Sequence, residues 1–583
     1  MAAPSPTLTV LRTYLGPLRG AVAALAALLL VGTGLNLLLP QLLSRFVDAA
    51  KLGAQADVAL LVRLAVTYLV LAVGVQLLSA GATYLGARVG WQATNRLRAD
   101  LTAHLLSLDM QEHKERTPGE MIERIDGDVT ALSNFFSQFA VRVFGAALLL
   151  TGAVVMFWRT DWRVGAGVTV FVALTLWAMN RVRKGGVEPT QQEREASAKL
   201  FGYVEERLAG LDDVRSLGAG EYHLRGFLKV QREFFSRSIF SWRRRAVVWQ
   251  LSMALFAVGY VALLASAVGL YAAGAITLGT AFALYQYMTM VEEPIDQLTN
   301  QLQDLQKAGA SVMRVGELLA LRSHLPEGTR ELPPGPLDLR FDHVGFSYGG
   351  AEGTPVLRDV DLTLEAGQTL GLLGRTGSGK TTLTRLVSRL YDPTSGSVRL
   401  GGVDTRDVTL ASLRSRVAVV TQDVQLFQAS VRDNLSFFDE GVSDAQVEAA
   451  LAEVGLGDWL SRLPEGVRTP LPAGSLSAGQ AQLLAFARVM LRDPAVIILD
   501  EPSSRLDPAT EAQLTAAMTR LLAGRTAIVI AHRLDTVARA DRIVVLGAGE
   551  VLEDGARTDL ARDPRSHYAG LLRAGREAEA VLA

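Results

Sequence analysis

The stretch Gly374-Arg375-Thr376-Gly377-Ser378-Gly379-Lys380-Thr381 fits the phosphate-binding pattern G-x-x-x-x-G-K-[ST]. Glycines let the main chain wrap a polyphosphate, so that N–H groups point inward at the anions. Lys380 is placed to neutralise the outer phosphates. The Thr381 hydroxyl is placed to hold Mg2+, and Thr382 follows it. The motif needs a strand before it and a helix start after it. Thr369 to Leu373 is an apolar run that reads as a buried strand. From Thr382 to Leu390 the spacing is helical, with Leu383, Leu386, Val387 and Leu390 on one side.

Other chemistry-bearing residues stand at the ends of predicted strands. The run Ala495 to Leu499 ends in Asp500-Glu501. Acids at a strand's C-terminal end in an α/β sheet face the ligand crevice. Asp500 then holds the metal, through water, and Glu501 polarises the attacking water. The run Ala527 to Ala531 ends in His532, placed to contact a terminal phosphate, although a lone His is more often structural. The run Val417 to Thr421 ends in Gln422, within reach of the metal or its water. Leu476-Ser477-Ala478-Gly479-Gln480 opens a helix. There the Ser477 hydroxyl, the Gly479 main chain and the helix N-terminus suit phosphate oxygens. Tyr348, shortly before the phosphate loop, can stack on adenine, although most tyrosines near strands are packing residues.

These elements occupy only part of the chain. It has 583 residues, 49% hydrophobic and 20% charged, with net charge −1 and no cysteine. The length calls for several domains. The charge gives no case for nucleic acid. Absent cysteine excludes disulfides and thiolate chemistry. The N-terminus shows no cleaved signal peptide pattern.

Apolar residues concentrate before about residue 300. Six membrane spans are predicted, at about 20–44, 58–88, 134–158, 162–183, 246–269 and 278–300. Lys and Arg crowd the second-to-third and fourth-to-fifth connections, among them Arg96, Lys114 and Arg243 to Arg245. Those connections are therefore placed in the cytoplasm with both termini. Each turns at a helix-breaking point, near 109–119 and 211–220. Charges within spans are costly and usually face a cavity, which singles out Arg142, Glu292 and Glu293. The membrane part is set at 1–320, a Gly- and Pro-rich linker at 321–336, and a nucleotide-binding domain at 337–583 with a helical insert at about 423–490. The fold class is a membrane all-α six-helix domain followed by an α/β P-loop ATPase domain.

Taken together, the motifs resemble those of ABC exporter half-transporters over nearly the whole chain. The resemblance implies that Gly374 to Thr381 is the Walker A motif and Val496 to Asp500 the Walker B motif, with Glu501 the catalytic acid. It implies that Tyr348 stacks on adenine, that Gln422 is the Q-loop, and that His532 is the switch histidine. It places the D-loop at Ser504 to Asp507 and the signature at Leu476 to Gln480. It makes the turns near 109–119 and 211–220 coupling helices. ATP and Mg2+ are the implied cofactors. The implied partners are a second half-transporter, membrane lipids and a hydrophobic or amphipathic substrate. The implied location is the cell (inner) membrane. The chain departs from the family where Ala478 replaces a signature glycine, where Ala481-Gln482-Leu483 replaces R-Q-R, and at Arg505. A methyl at Ala478 crowds a phosphate approach, which favours a heterodimer with one slow ATP site over a homodimer. The alternative function is an ATP-gated regulatory or channel subunit with passive flux.

Overall fold

A computed structural model describes residues 12–184, 187–350, 353–472, 474–500, 508–531 and 534–582. The chain forms two compact units. One comprises residues 1–106 and 118–321, the other Ser107–Thr117 and Arg322–Ala583.

The first unit is helical. Its elements are α1 (Arg19–Ala50), α2 (Val58–Ser107), then, after the short α3 (Met110–Glu115) of the other unit, α4 (Pro118–Thr160) and α5 (Trp162–Lys184). There follow α6 (Val187–Ala209), α7 (Leu211–Ser216), α8 (Gly220–Ala272) and α9 (Leu278–Ala320). Among the described residues, five helices are long and apolar enough to cross a membrane: those containing α1, α2, α4, α5 and α8. The helix α9 lies outside that set and carries Glu292, Glu293 and Asp296 in its first half. Leu37, Phe157, Phe256, Leu284, Met288 and Ile295 form the core that joins α1, α4, α8 and α9. The Tyr287 hydroxyl donates to the Leu37 carbonyl at 2.8 Å, satisfying a polar group inside that core.

In α4 the residues Arg124–Asp128 and Phe135–Phe144 form wide π-helical turns. Such turns are rare and cluster at functional sites. Arg142 lies in the second, exposed, and lines a cavity of about 480 Å³ with Arg98, Trp91, Thr130 and Asn134. Glu292 accepts a hydrogen bond from Tyr260 at 3.3 Å, and Glu293 one from Gln297 at 2.8 Å. Further along α9, Asp128 of α4 accepts from Ser311 at 2.9 Å and from Arg314 Nε at 2.9 Å. Burial alone would raise the Asp128 carboxyl, but Arg314, Ser311 and Arg124 outweigh it and hold it below the usual carboxylate range.

The second unit is α/β. One sheet is antiparallel, in the order β2 (Leu357–Leu364), β1 (Leu339–Phe346), β4 (Ser395–Leu400), β5 (Val403–Asp404). The other runs β10 (Glu550–Ala556), β9 (Arg542–Gly547), β3 (Thr369–Gly374), β8 (Thr526–Ile530), β7 (Val496–Asp500), β6 (Val417–Val420). All its pairs are parallel except β9 with β10. Alternation sorts its side chains onto two faces. Val496 and Ile498 join the core beneath the antiparallel sheet, while Ile497 and Leu499 join the core built by the helices. That helical core takes Val447 and Leu451 from α11 (Asp444–Glu453) and Leu483 and Phe486 from α12 (Ala478–Arg492). Burial on both faces explains why residues 496–499 of β7 and 527–530 of β8 are unbroken apolar runs.

Candidate nucleotide-binding site

The phosphate loop leaves β3 at Gly374 and enters the helix α10 (Lys380–Val387). The helix begins at Lys380, two residues before the periodicity predicts, because Gly379 takes the left-handed φ of 102° that turns the loop into it. At Gly374, φ is 150°, and an added Cβ would lie 2.3 Å from the Leu546 carbonyl oxygen. Only glycine fits a backbone so close to its neighbour.

Lys380 is buried, and its ammonium donates to the Gly374 carbonyl at 2.8 Å and the Arg375 carbonyl at 3.1 Å. The next residue, Thr381, donates to the Asp500 carboxylate at the end of β7 at 3.3 Å. A hydroxyl and a carboxylate that meet at a sheet's C-terminal edge are the oxygen donors a hard cation takes. Ser378 Oγ is buried without a hydrogen-bond partner. A buried orphan hydroxyl inside the loop fits a group with acceptor oxygens, as do the exposed Arg375, Thr376 and Gly377 around it. The residues present therefore fit a polyphosphate with its cation.

Tyr348 stands at the edge of this loop. Its hydroxyl pairs with Thr382 Oγ1 at 3.1 Å and accepts from Arg385 at 3.1 Å. Phe346 and Tyr391 meet its ring edge to face, at 4.9 and 5.2 Å between centroids. Burial pushes the Tyr391 phenol up.

The signature segment forms a separate corner of the unit. Ser477 caps α12: its hydroxyl accepts from the Gln480 amide at 3.2 Å, and the Gln480 side chain accepts from the Ser477 amide at 3.1 Å. This reciprocal box fixes the helix start. Ser477 and Ala478 are exposed, and Gly479 is buried. Gln422 is exposed just past the end of β6, and its backbone carbonyl accepts from the Gln482 side-chain Nε2 at 2.9 Å. Further along α12, Arg488 donates to the Asn434 carbonyl at 2.7 Å, and burial lowers its guanidinium to about 10. It is still charged at neutral pH.

The structure thus brings together Lys380, Thr381, Asp500, Thr382 and Tyr348. It sets Ser477, Gly479 and Gln480 on another helix, joined to Gln422 through Gln482. Glu501, Asp507 and His532 lie outside the described residues. Sequence reasoning missed two links, Gln482 to the Gln422 carbonyl and Tyr348 to Thr382. Gln482 alone carried a signal, a glutamine set within an apolar helix face.

The ABC transporter family profile matches residues 357–504, and the ABC transporter transmembrane region profile matches residues 22–295. An uncharacterized ABC transporter ATP-binding protein of Bacillus subtilis (strain 168), YknV, is 32% identical over 97% of this chain and 94% of its own length. The chain belongs to the ABC transporter family. An ATP-dependent lipid A-core flippase of Bordetella avium (strain 197N) is 32% identical over 81% of each chain. A solved bacterial Atm1-family ABC exporter with ATP bound superposes with a TM-score of 0.81 at 25% identity, covering 96% of this chain and 99% of that one. This ABC exporter is therefore a multi-pass membrane protein: a helical transmembrane domain fused to a cytoplasmic ATPase domain that binds and hydrolyses ATP.

Proposed function

We propose that this ABC exporter moves hydrophobic or amphipathic molecules out of the cell by alternating access, through six membrane crossings with α9 as the sixth. Two ATPase domains, one from each of two chains, close on two ATP molecules and open again after hydrolysis. The geometry that carries this reading is the phosphate loop, where Lys380, the orphan Ser378 hydroxyl and the Thr381–Asp500 pair converge. Lys380 exchanges its two carbonyl partners for the outer phosphates. Thr381, Asp500 and Gln422 hold Mg2+, which neutralises charge on the transferred phosphoryl group when bound. Tyr348 stacks on the base, Glu501 polarises the attacking water, and His532 contacts the terminal phosphate. The second chain supplies Ser477, Gly479 and Gln480 of its signature, or their counterparts, and the D-loop aspartate corresponding to Asp507 lies between the two sites.

The cargo class rests on two supports. Relatives include proteins named for multidrug efflux and lipid A-core flipping. The helices α1, α2 and α4 also offer long apolar surfaces with few charges. The partner is a different half-transporter rather than a second copy. Its support is Ala478, exposed at the start of α12, where a methyl replaces hydrogen beside the phosphate contact. Purifying the chain alone tests this. A heterodimer half hydrolyses ATP weakly alone and gains at least tenfold with its partner, whereas full substrate-stimulated hydrolysis by the lone chain contradicts it. Glu501→Gln in the assembled transporter is expected to bind ATP and turn over at least about 100-fold more slowly. Turnover at the parent rate would show that Glu501 does not polarise the attacking water.

A further inference from the structure

Tyr348 is held from a direction that the phosphate loop does not supply. The Lys114 ammonium lies over the Tyr348 ring, 3.9 Å from its centroid. Lys114 belongs to α3, within Ser107–Thr117, which groups with the ATPase unit although it interrupts the membrane unit in the chain. Two neighbouring acids that could draw the lysine away are engaged. Asp109 caps α3 and accepts from the Gln111 amide at 3.1 Å, and Glu112 pairs with Arg116. A cavity of about 130 Å³ borders Tyr348 on the α3 side, between Asp109, Gln111, His324 and Tyr391, and no residue of the phosphate loop lines it. The tyrosine hydroxyl, in contrast, reaches Thr382 and Arg385 just after that loop.

We propose that Lys114 is a positioning residue for the nucleotide base, holding one face of the Tyr348 ring while the base stacks on the other. This rests on the reading that Tyr348 is the base platform. A phenol ring held at its hydroxyl by Thr382 and packed at right angles against Phe346 and Tyr391 can still tilt. A cation over one face removes that freedom, because the ring quadrupole attracts it only when it stands above the plane. The linkage is reciprocal. A base on the opposite face steadies Lys114 and therefore α3, and a displaced α3 releases the ring. The cytoplasmic turn between α2 and α4 then responds to the base and not only to the phosphates.

The test uses the full transporter in nanodiscs with its partner. Lys114→Met keeps the length and removes the charge. It is expected to raise the KM for ATP about threefold to tenfold, with the effect on KM rather than kcat. Lys114→Arg, which can also stand over the ring, is expected to restore KM to within about twofold. Hydrogen exchange supplies a readout that a merely structural role would not move. ATP slows exchange at residues 110–115 of the parent, inorganic tripolyphosphate does not, and saturating ATP no longer does so in Lys114→Met. Tyr348→Ala separates the two claims. If it leaves KM unchanged, the base platform itself is wrong. If it raises KM while Lys114→Met changes neither KM nor exchange, the platform stands and the role of Lys114 is overturned.

Discussion

Two short helices occupy equivalent places in the chain and differ in almost everything else. Each is six residues long and turns the chain back between two long helices. In α3, Asp109 is the cap, with its side chain bound to two amides of its own helix, to the His324 amide and to Ser323. Asp109 and Glu112 are 8% and 6% exposed. In α7 the cap position is Gly210, with no side-chain cap bond, and no residue of the helix is buried. Its flanks present Leu208 and Leu217, 63% and 80% exposed. Thus α3 is folded into the ATPase unit of its own chain, whereas α7 is flanked by apolar side chains that its own unit leaves uncovered.

The sharpest way to break this comparison is to remove the Asp109 carboxylate. Asp109→Ala deletes a helix cap and removes the acceptor of the His324 amide, which together cost about 1–2 kcal/mol of local stability. Faster hydrogen exchange over residues 107–117 measures it. Acid acts on the same group. Burial alone would raise the Asp109 carboxyl, but the amides of His324 and Glu112 and the Ser323 hydroxyl outweigh it, so its folded pKa is lowered. A lowered carboxyl contributes stability above its unfolded pKa of about 3.9, and that contribution fades as pH falls through the lower folded value. Exchange over 107–117, corrected for its intrinsic pH dependence, is expected to stay slow down to about pH 4 and to quicken below it. Next in size is Glu112→Gln, which leaves Arg116 without its ion pair and costs about 1 kcal/mol, read by the same exchange. Smallest is Leu217→Ser. It should leave thermal stability within about 0.5 kcal/mol, because the side chain is exposed. It should nevertheless lower substrate-stimulated ATP hydrolysis in the assembly. A large loss of stability in the lone chain would mean that α7 is already docked.

The ATPase fold was largely legible because its strands carry two signals at once, an apolar run and a chemical residue at its end. The run at Val496 to Leu499 followed by Asp500 is the clearest case, since burial on both sheet faces admits nothing but apolar residues. The hairpin β9–β10 was equally plain from Gly547-Ala548-Gly549, where Ala548 and Gly549 take φ of 52° and 88°. The π-helical turns of α4 were not legible, because one extra residue per turn leaves no local mark in Phe135 to Phe144. Long-range docking was invisible too. Nothing around Lys114 announces Tyr348, and a helix of basic and acidic residues reads as solvated surface. The Gln422–Gln482 bond escaped for the same reason: it joins a strand end to a helix with the whole insert between them.

ATP hydrolysis at the Lys380 loop has to drive solute uphill if this chain is half of an export pump. The direct measurement is accumulation of a fluorescent amphipathic dye in inside-out proteoliposomes holding the assembled transporter. The dye should rise above its outside concentration with ATP, and Lys380→Ala in this chain should abolish the rise. Equilibration to equal concentrations while ATP is hydrolysed at the normal rate would contradict it and would mark a gated passive path.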